Sequence, residues 1–384
     1  MDAILMSLMA ALNEQLLINV YQRDTEDFYT GYVQVLGKTS VVLSTYNDAG
    51  LADGSVLISF TAIDQVEFAG DDLDDMTFRI EVAEDRHFIA LPAPAHPYAF
   101  DPTRDLIGQL AAQAHQSQEV ILVMLADDDA YLEGQVTAVA ADRFTLAVFN
   151  KFNYTDVRYL QVDFTDVLVI EFQGLELHLE TTVVQNRDQL QHVRTDIHQN
   201  DGQLAAILSD AQVSGQLVAV MPQGNAAQFY VGRVLAVNPT VVVLQLRDMA
   251  GQFGGYVVLR LTGLQSVTLA SDYLQTIGAY TAWMTAHHLE KQPVLNADRE
   301  FDAGSDLFVS LVGEAAAFDR VIRVRTKEAG AQYMGVPRNV TGTTFVMHAD
   351  DTDEDETLSF GAVQELAFGH VYAYLQEARL HSGR

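Results

Sequence analysis

The densest group of side chains that could do chemistry is an acidic run from Asp350 to Glu356, which includes the alternating carboxylates typical of calcium loops. Calcium loops of the EF-hand type need a glycine at the sixth position and a glutamate at the twelfth. Counted from Asp351, these positions hold Glu356 and Ala362. We therefore predict a solvated loop between two strands, with a cation site as the alternative. Asp127–Asp129 likewise predicts a polar hairpin turn.

Other residue types that support catalysis lack the necessary partners. The chain has no cysteine, which excludes disulfides, thiolate catalysis and zinc–thiolate sites. His287 and His288 are adjacent, but they fall at the end of a predicted helix, where a positive imidazolium complements the helix dipole. No nucleophile elbow, phosphate-binding loop or His-Glu-x-x-His motif is present. We predict no catalytic residue, no cofactor and no metal site.

One pattern of residues occurs four times in the chain. It reads apolar, any, apolar, Thr or Gly, any, apolar, two of any kind, apolar, any, apolar. The third residues of the four copies are Phe60, Phe164, Leu261 and Phe360, separated by 104, 97 and 99 residues. A glycine precedes each copy in nearly constant register, at Gly31, Gly134, Gly232 and Gly335. Two landmarks in one register indicate a fourfold duplication.

The residue pattern of each repeat predicts a helix followed by five short strands. In the first repeat the helix is Asp2–Glu14, the second strand runs around Gly31, and the other strands are Leu16–Tyr21, Ser40–Tyr46, Val56–Phe60 and Asp64–Phe68. Short strands with tight turns must close or stack to bury their apolar face. We therefore predict a mainly β protein with four tandem five-stranded small barrels, each preceded by a short helix. The predicted modules are residues 1–90, 101–182, 200–271 and 301–384, with a helical connector at 272–300.

Aromatic residues recur at one place in the modules. The recurring residues are Tyr29, Tyr230 and Tyr333, with Leu132 in module 2. Packing inside or between barrels is the expected role, and a shared ligand groove is the alternative. The helix predicted from Asp272 to His288 places Trp283 beside Tyr280 and Ile277 at helical spacing. Packing is again expected there, with ligand stacking as the alternative.

The repeat resembles the Sm-like (LSm) family of small β-barrels. The apolar frame of the family's second motif fits Ile58, Ile63 and Val66, and its Gly-x-apolar first motif fits Gly31 and Val33. The resemblance covers the four barrels and implies a five-stranded barrel with a leading helix. An SH3-type barrel, which has a similarly curved sheet, is the main alternative fold.

Family positions that contact RNA do not carry over to this sequence. The aspartate after the first motif is Gly37 in module 1, and the strand-three asparagine falls near Val41. The Arg-Gly pair of the second motif is Ser59-Phe60 in module 1, and only Arg260 in module 3 keeps one member. The formal net charge of −30 also repels polyanions. The resemblance therefore does not extend to the family's uridine pocket.

We predict a non-enzymatic cytoplasmic interaction or scaffold protein that binds a protein partner or itself. No apolar run approaches the ~20 residues of a membrane-spanning helix, and the N-terminal segment begins Met1-Asp2 without the positive charge of a secretory signal. Sm-like barrels typically join into rings, strand four of one against strand five of the next. The resemblance implies that four linked copies form part of such an arc, or a pseudo-ring with a second chain.

Two other functions remain open from the sequence. The first is nucleic-acid binding through a local basic surface on modules 3 and 4. The arginines of that surface are Arg233, Arg247, Arg260, Arg323 and Arg325. The second is an enzyme whose site lies between modules.

Overall fold

The chain forms a mainly β, antiparallel structure in two compact units, Met1–His192 (unit 1) and Val193–Arg384 (unit 2). The computed structural model describes residues 2–23, 25, 27–126, 128–187, 190–224, 229–327, 332–349 and 354–382. Unit 1 contains the predicted modules 1 and 2, and unit 2 contains modules 3 and 4.

In unit 1 each module consists of a helix, five strands and a second helix. The elements of module 1 are α1 Asp2–Glu14, β1 Leu17–Gln22, β2 Phe28–Leu36, β3 Ser40–Tyr46, β4 Ala52–Ser59, β5 Ile63–Glu67 and α2 Asp71–Asp85. The elements of module 2 are α3 Leu106–Ser117, β6 Val120–Leu125, β7 Asp128–Val139, β8 Arg143–Val148, β9 Arg158–Asp163, β10 Val167–Phe172 and α4 Leu175–Gln185.

Unit 2 repeats this plan and adds one short strand before module 3. That strand and module 3 comprise β11 Asp196–Gln199, α5 Leu204–Ser214, β12 Leu217–Pro222, β13 Tyr230–Val237, β14 Val241–Arg247, β15 Phe253–Arg260, β16 Leu264–Ala270 and α6 Asp272–Ala286. Module 4 comprises α7 Leu307–Ala317, β17 Ile322–Thr326, β18 Gln332–Gly335, β19 Thr344–Ala349, β20 Glu354–Ser359, β21 Val363–Phe368 and α8 Val371–Ser382.

The two modules of each unit share one continuous sheet. In unit 1 the strand order is β5-β1-β2-β3-β4-β10-β6-β7-β8-β9. In unit 2 it is β11-β16-β12-β13-β14-β15-β21-β17-β18, and β19 and β20 form a separate two-stranded sheet. The structure therefore shows antiparallel sheets of many strands, where the sequence predicts four tandem small barrels. The physical reason is that the open edge of strand four in modules 1 and 3 hydrogen-bonds to the following module.

Each module nevertheless has its own apolar core beneath its leading helix. In module 1, Leu8 of α1 packs with Ile18, Leu43 and Ile63 of the strands. The other three modules have equivalent clusters. The third residues of the repeated pattern lie at the turn between strands four and five, where Phe60, Leu261 and Phe360 are buried and Phe164 packs against its core. The repeated pattern therefore marks equivalent places in the four modules.

Strands three and four of the leading modules are buried on both faces. In module 1, Val41 and Leu43 face the core of their own module, whereas Val42 and Leu57 join the core of module 2. Strands covered on both faces require continuous apolar runs. In module 2, by contrast, β8 alternates between buried and less buried residues, because one of its faces is not covered by a further module.

The recurring glycine of strand two lies where the neighbouring strand comes close. A Cβ atom on Gly31, Gly134 or Gly232 would overlap a carbonyl oxygen of strand three, that of the residue just before the one opposite the glycine. The backbone of the next strand therefore leaves no room for a side chain at these three positions. Gly335 of module 4 has open space around it, because β18 does not pair with β19.

A helix follows strand five in all four modules, whereas the sequence pattern predicts only α6. The N-terminal turn of α2 is acidic, with Asp71, Asp72 and Asp74, which suits the positive end of the helix dipole. Leu73 and Met76 supply its buried face. Their spacing of three was the available signal, although the polar composition of the segment masked it.

We expect Gly232→Ala to destabilise unit 2 by about 1–3 kcal/mol, because the added methyl overlaps the carbonyl of Gln245. Trp283, the single tryptophan of the chain, lies in unit 2 and reports its unfolding by fluorescence during urea titration. Gly313→Ala in α7 is the matched control, since its methyl meets no atom within 4 Å and alanine favours helices. Equal unfolding midpoints for the two variants would contradict this account.

Candidate functional site: the module junctions

Both units join their modules through the same pair of strands. In unit 1, β4 of module 1 pairs antiparallel with β10 of module 2, and Ser55 lies opposite Phe172. In unit 2, β15 pairs antiparallel with β21, and Tyr256 lies opposite Phe368. Strand four of a leading module therefore meets strand five of the following module in each case. We call these two places the module junctions.

A glycine in the left-handed region permits the close approach at each junction. Gly54 has φ +67° and Gly255 has φ +85°. A Cβ on Gly54 would overlap the backbone of Phe172 and Gly174, and a Cβ on Gly255 would overlap that of Phe368 and His370. A side chain at either place would therefore be disfavoured by both backbone conformation and space.

A half-buried tyrosine crosses each junction to a glutamate. The hydroxyl of Tyr29 donates to Glu171 Oε1 at 2.6 Å, and that of Tyr230 donates to Glu365 Oε1 at 2.5 Å. Burial raises the pKa of both tyrosines, so the phenols remain protonated donors at neutral pH. Burial also raises the pKa of Glu171. The predicted packing role of the recurring tyrosines is confirmed here.

The other two residues in this series pack within their own modules. Tyr333 and Leu132 are buried in the cores of modules 4 and 2. The recurring position therefore serves a junction only in the leading module of each unit.

Two of the arginines predicted as nucleic-acid contacts hold the unit 2 junction together. Arg323 Nη2 lies 3.0 Å from Glu365 Oε1, and Arg325 Nη2 contacts Glu365 Oε2. Both guanidiniums also donate to the Tyr230 hydroxyl, at 3.1 and 3.3 Å. The side chain of Glu365 is only 3% exposed, so its carboxylate needs these charged partners.

A third predicted arginine crosses the same junction. Arg260 donates to the carbonyl oxygens of Val363 at 2.5 Å and Phe360 at 2.6 Å, and its guanidinium lies 4.6 Å from the Phe308 ring centroid. Arg233, in contrast, is exposed on β13. The structure therefore brings Arg260, Arg323 and Arg325 together at the junction and leaves Arg233 apart from them in the strand order.

Unit 1 has a largely enclosed acidic cluster, in which Glu180 is buried and the others are half-buried; we define it as Glu133, Lys151, Glu176 and Glu180. Lys151 Nζ lies 2.9 Å from Glu133 Oε1 and 2.7 Å from Glu176 Oε1. Burial alone would lower the pKa of Lys151, but these carboxylates outweigh it and raise that pKa.

Glu180 of this cluster is fully buried, and no donor within the described ranges hydrogen-bonds to its carboxylate oxygens. Burial, followed by the charge of Glu133, raises the pKa of Glu180 well above its ordinary range. Folding therefore favours the neutral form of the Glu180 carboxyl group over its ionised form.

A cavity of about 210 Å³ lies at the unit 1 junction. Its lining includes Asp53, Glu171 and Glu176, together with Tyr29 and Tyr46. Asp53 Oδ1 accepts from the backbone N–H of Leu175 at 2.6 Å, at the start of α4. Burial raises the pKa of Asp53 and of Glu176. The cavity therefore presents carboxyl groups whose negative charge is costly to maintain.

A cavity of about 200 Å³ also lies beside the unit 2 junction, but it is lined mainly by α7, α8 and the segment that precedes module 4. Tyr256 and Phe368 form part of its wall, and Arg299 pairs with both carboxylate oxygens of Glu314, at 2.8 and 2.5 Å. His370 Nδ1 accepts from the backbone N–H of Ala373 at 3.1 Å. Burial and, secondarily, Arg323 lower the pKa of His370 to about 4, so the imidazole is neutral at pH 7 and carries its proton on Nε2.

The remaining residues singled out in the sequence have local roles or fall outside the described ranges. His287 stacks on Trp283 with ring centroids 3.9 Å apart, and its Nδ1 bonds to the Trp283 carbonyl oxygen at the end of α6. His288 follows with φ +59°. Residues 350–353 of the acidic run and residue 127 lie outside the described residues.

The described residues contain neither a metal-binding group nor a membrane-spanning helix. No group of three or more His, Asp or Glu side chains is arranged to hold a metal ion in the described part of the chain. Among the helices that the structure describes, none has the length and apolarity required to traverse a bilayer.

Comparisons with known proteins identify no family. No family model matches the chain, and no curated protein matches it. Among solved structures, the four MBT repeats of Drosophila melanogaster Sfmbt in complex with a peptide RHR(me)KVLR align over 91% of this chain and 87% of that chain, at 9% identity. The TM-score of 0.11 is too low to support any statement about fold or function.

We expect Glu180→Gln to stabilise unit 1 at neutral and alkaline pH. The unfolded chain loses the Glu180 proton above pH ~4.3, whereas the folded chain keeps it, so wild-type stability falls as the pH rises from that value. Glutamine keeps the side-chain shape without the charge. The gain in unfolding free energy, measured by native-state hydrogen exchange of α4, should be larger at about pH 8 than at about pH 5.

The exposed Glu84→Gln on α2 is the matched control and should show no such pH-dependent gain. A loss of stability in Glu180→Gln at both pH values would mean that Glu180 is ionised and stabilised by Lys151.

Proposed function

We propose that the chain is a non-enzymatic cytoplasmic interaction or scaffold protein built from four tandem Sm-like small barrels. The observation that carries the proposal is the pairing of strand four with strand five at both module junctions. Main-chain pairing along a strand edge is a general mode of protein recognition. The chain uses it twice to join its own modules.

Several features support the barrel interpretation of the individual modules. Each module has a separate core beneath a leading helix, as a small barrel plugged at one end would have. In modules 1 to 3, strand one pairs with both strand two and strand five. Strand one of module 4 has the same two partners. In modules 1 to 3 the full strand order is 5-1-2-3-4, the order in which a curved sheet approaches closure.

The burial patterns favour arcs of two modules over a ring. A leading module needs strands three and four that are apolar on both faces, as in Val241–Leu244 of module 3. Module 2 lacks this feature: β9 leaves Tyr159 69% exposed and Arg158 and Gln161 exposed. A further junction on β9 would bury these polar groups without partners. The proposal is therefore a scaffold of two linked pairs.

Nucleic-acid binding has less support than protein binding. The guanidiniums of Arg260, Arg323 and Arg325 are engaged with acceptors at the unit 2 junction. Of the five arginines predicted to form the basic surface, these three could reach a phosphate only by giving up those acceptors.

We expect the tagged full-length chain, purified from the cells that express it, to retain protein partners in stoichiometric amounts. Ribonuclease treatment should not release them, because the contacts are between protein strands. The measurements are native mass spectrometry of the eluate and its ratio of absorbance at nucleic-acid and protein wavelengths. Arg233→Ala serves as the matched variant, since Arg233 is the exposed member of the predicted nucleic-acid set. Co-purifying RNA that is lost in Arg233→Ala, or a bare monomer, would contradict the proposal.

A further inference from the structure

Three of the four strand-five edges in the described residues are covered by another strand. The edge of β10 is covered by β4, and the edge of β21 is covered by β15. The edge of β16 is covered by β11, a short extended segment that precedes module 3. No described strand covers the outer edge of β5, which pairs only with β1.

The exposure of the third residue of strand five differs in the same way between module 1 and the other modules. Val169, Ser266 and Glu365 occupy that position in modules 2, 3 and 4, and each is at most 3% exposed. Gln65 occupies it in module 1 and is exposed. Phe68, just beyond the end of β5, is 41% exposed. An uncovered edge with an exposed phenylalanine is a template for a further strand.

The β11 segment shows how such an edge is occupied without a complete module. Ile197 and His198 lie opposite Thr268 and Val267 in an antiparallel ladder. Asn200 closes the end by donating from Nδ2 to the carbonyl oxygens of Leu261 and Leu264, both at 2.9 Å. A few extended residues therefore suffice to cover a strand-five edge in this fold.

The charged residues around β5 indicate which charge a segment bound at this edge should carry. Asp64 is exposed on the strand, and Glu67 lies at its end. The Tyr21 hydroxyl lies 3.0 Å from Glu67 and 3.4 Å from Asp72, which places the acidic first turn of α2 beside the strand. A basic residue, Arg23, also contacts β5. Its guanidinium donates to the Ile63 carbonyl oxygen at 3.2 Å. The net charge beside the edge is negative.

We propose that the outer edge of β5 binds an extended, basic segment of another protein by strand addition. Main-chain hydrogen bonds to β5 would provide the binding, an apolar residue of the partner would pack on Phe68, and lysines or arginines would face Asp64 and the start of α2. This inference rests on the proposed function, since it names the kind of partner that the scaffold would recruit.

The test measures binding of short synthetic peptides to the full-length chain by fluorescence anisotropy. The probes are a peptide of alternating valine and lysine and its counterpart of alternating valine and glutamate. We expect saturable binding of the basic peptide only. Hydrogen exchange should slow in residues 63–67 when the peptide is bound. Affinity should fall as salt increases, because the charges are exposed.

Asp64→Lys should weaken the basic peptide by about tenfold, since it reverses a charge at the edge. The matched control is Gln265→Lys, at the equivalent place on β16, whose edge is already covered by β11. That variant should bind the peptide as the wild type does. Both positions are exposed, so neither substitution should impair folding.

Three results would overturn the inference. The first is equal binding of the basic and acidic peptides, the second is protection on β9 instead of β5, and the third is a self-association of the chain that Asp64→Lys abolishes. The last would identify a second copy as the occupant. Any of them would leave the scaffold proposal standing if the purified chain still carries protein partners, so the two failures are distinguishable.

Discussion

The exposed main-chain groups along the edge of strand four are the constraint on which the rest of the structure depends. A strand edge presents unpaired N–H and C=O groups that must find partners. In both leading modules the partner is strand five of the following module. This pairing brings the cores of two modules together, buries strands three and four on both faces, and requires glycine at Gly54 and Gly255. The continuous sheets of the two units follow from it.

The two junctions share a backbone arrangement but differ in their polar chemistry. In unit 1 the tyrosine meets a glutamate in an acidic surrounding, where burial raises the pKa of Glu171 and of Glu180. In unit 2 two arginines neutralise Glu365. A small cavity lies beside each junction, one lined by carboxyl groups and one by aromatic rings, an ion pair and a neutral histidine. The two units therefore share the main-chain contact, whereas the side chains around it differ.

Much of the architecture could be predicted from the sequence because the repeat carries it. Helix Asp2–Glu14 and strand Ser40–Tyr46 have the predicted bounds, and the recurring glycine lies where backbones come close. Helix α2, which follows strand five of module 1, was missed because it is acidic and its apolar residues are sparse. The role of Arg323 could not be predicted, since its partner Glu365 is distant in sequence and indistinguishable from the other acids of a chain of charge −30. The continuous apolar run Val241–Leu244, by contrast, does indicate a strand that is buried on both faces.

The central claim is that strand pairing makes each pair of modules one cooperative structure. Native-state hydrogen exchange of the full-length chain in increasing denaturant tests it most directly. The account predicts that the amides of β4 and β10 open with one shared free energy, equal to that of the strands inside each module, and that β15 and β21 behave alike. Separate, lower opening energies at β4·β10 and β15·β21, with four independently unfolding modules, would contradict it.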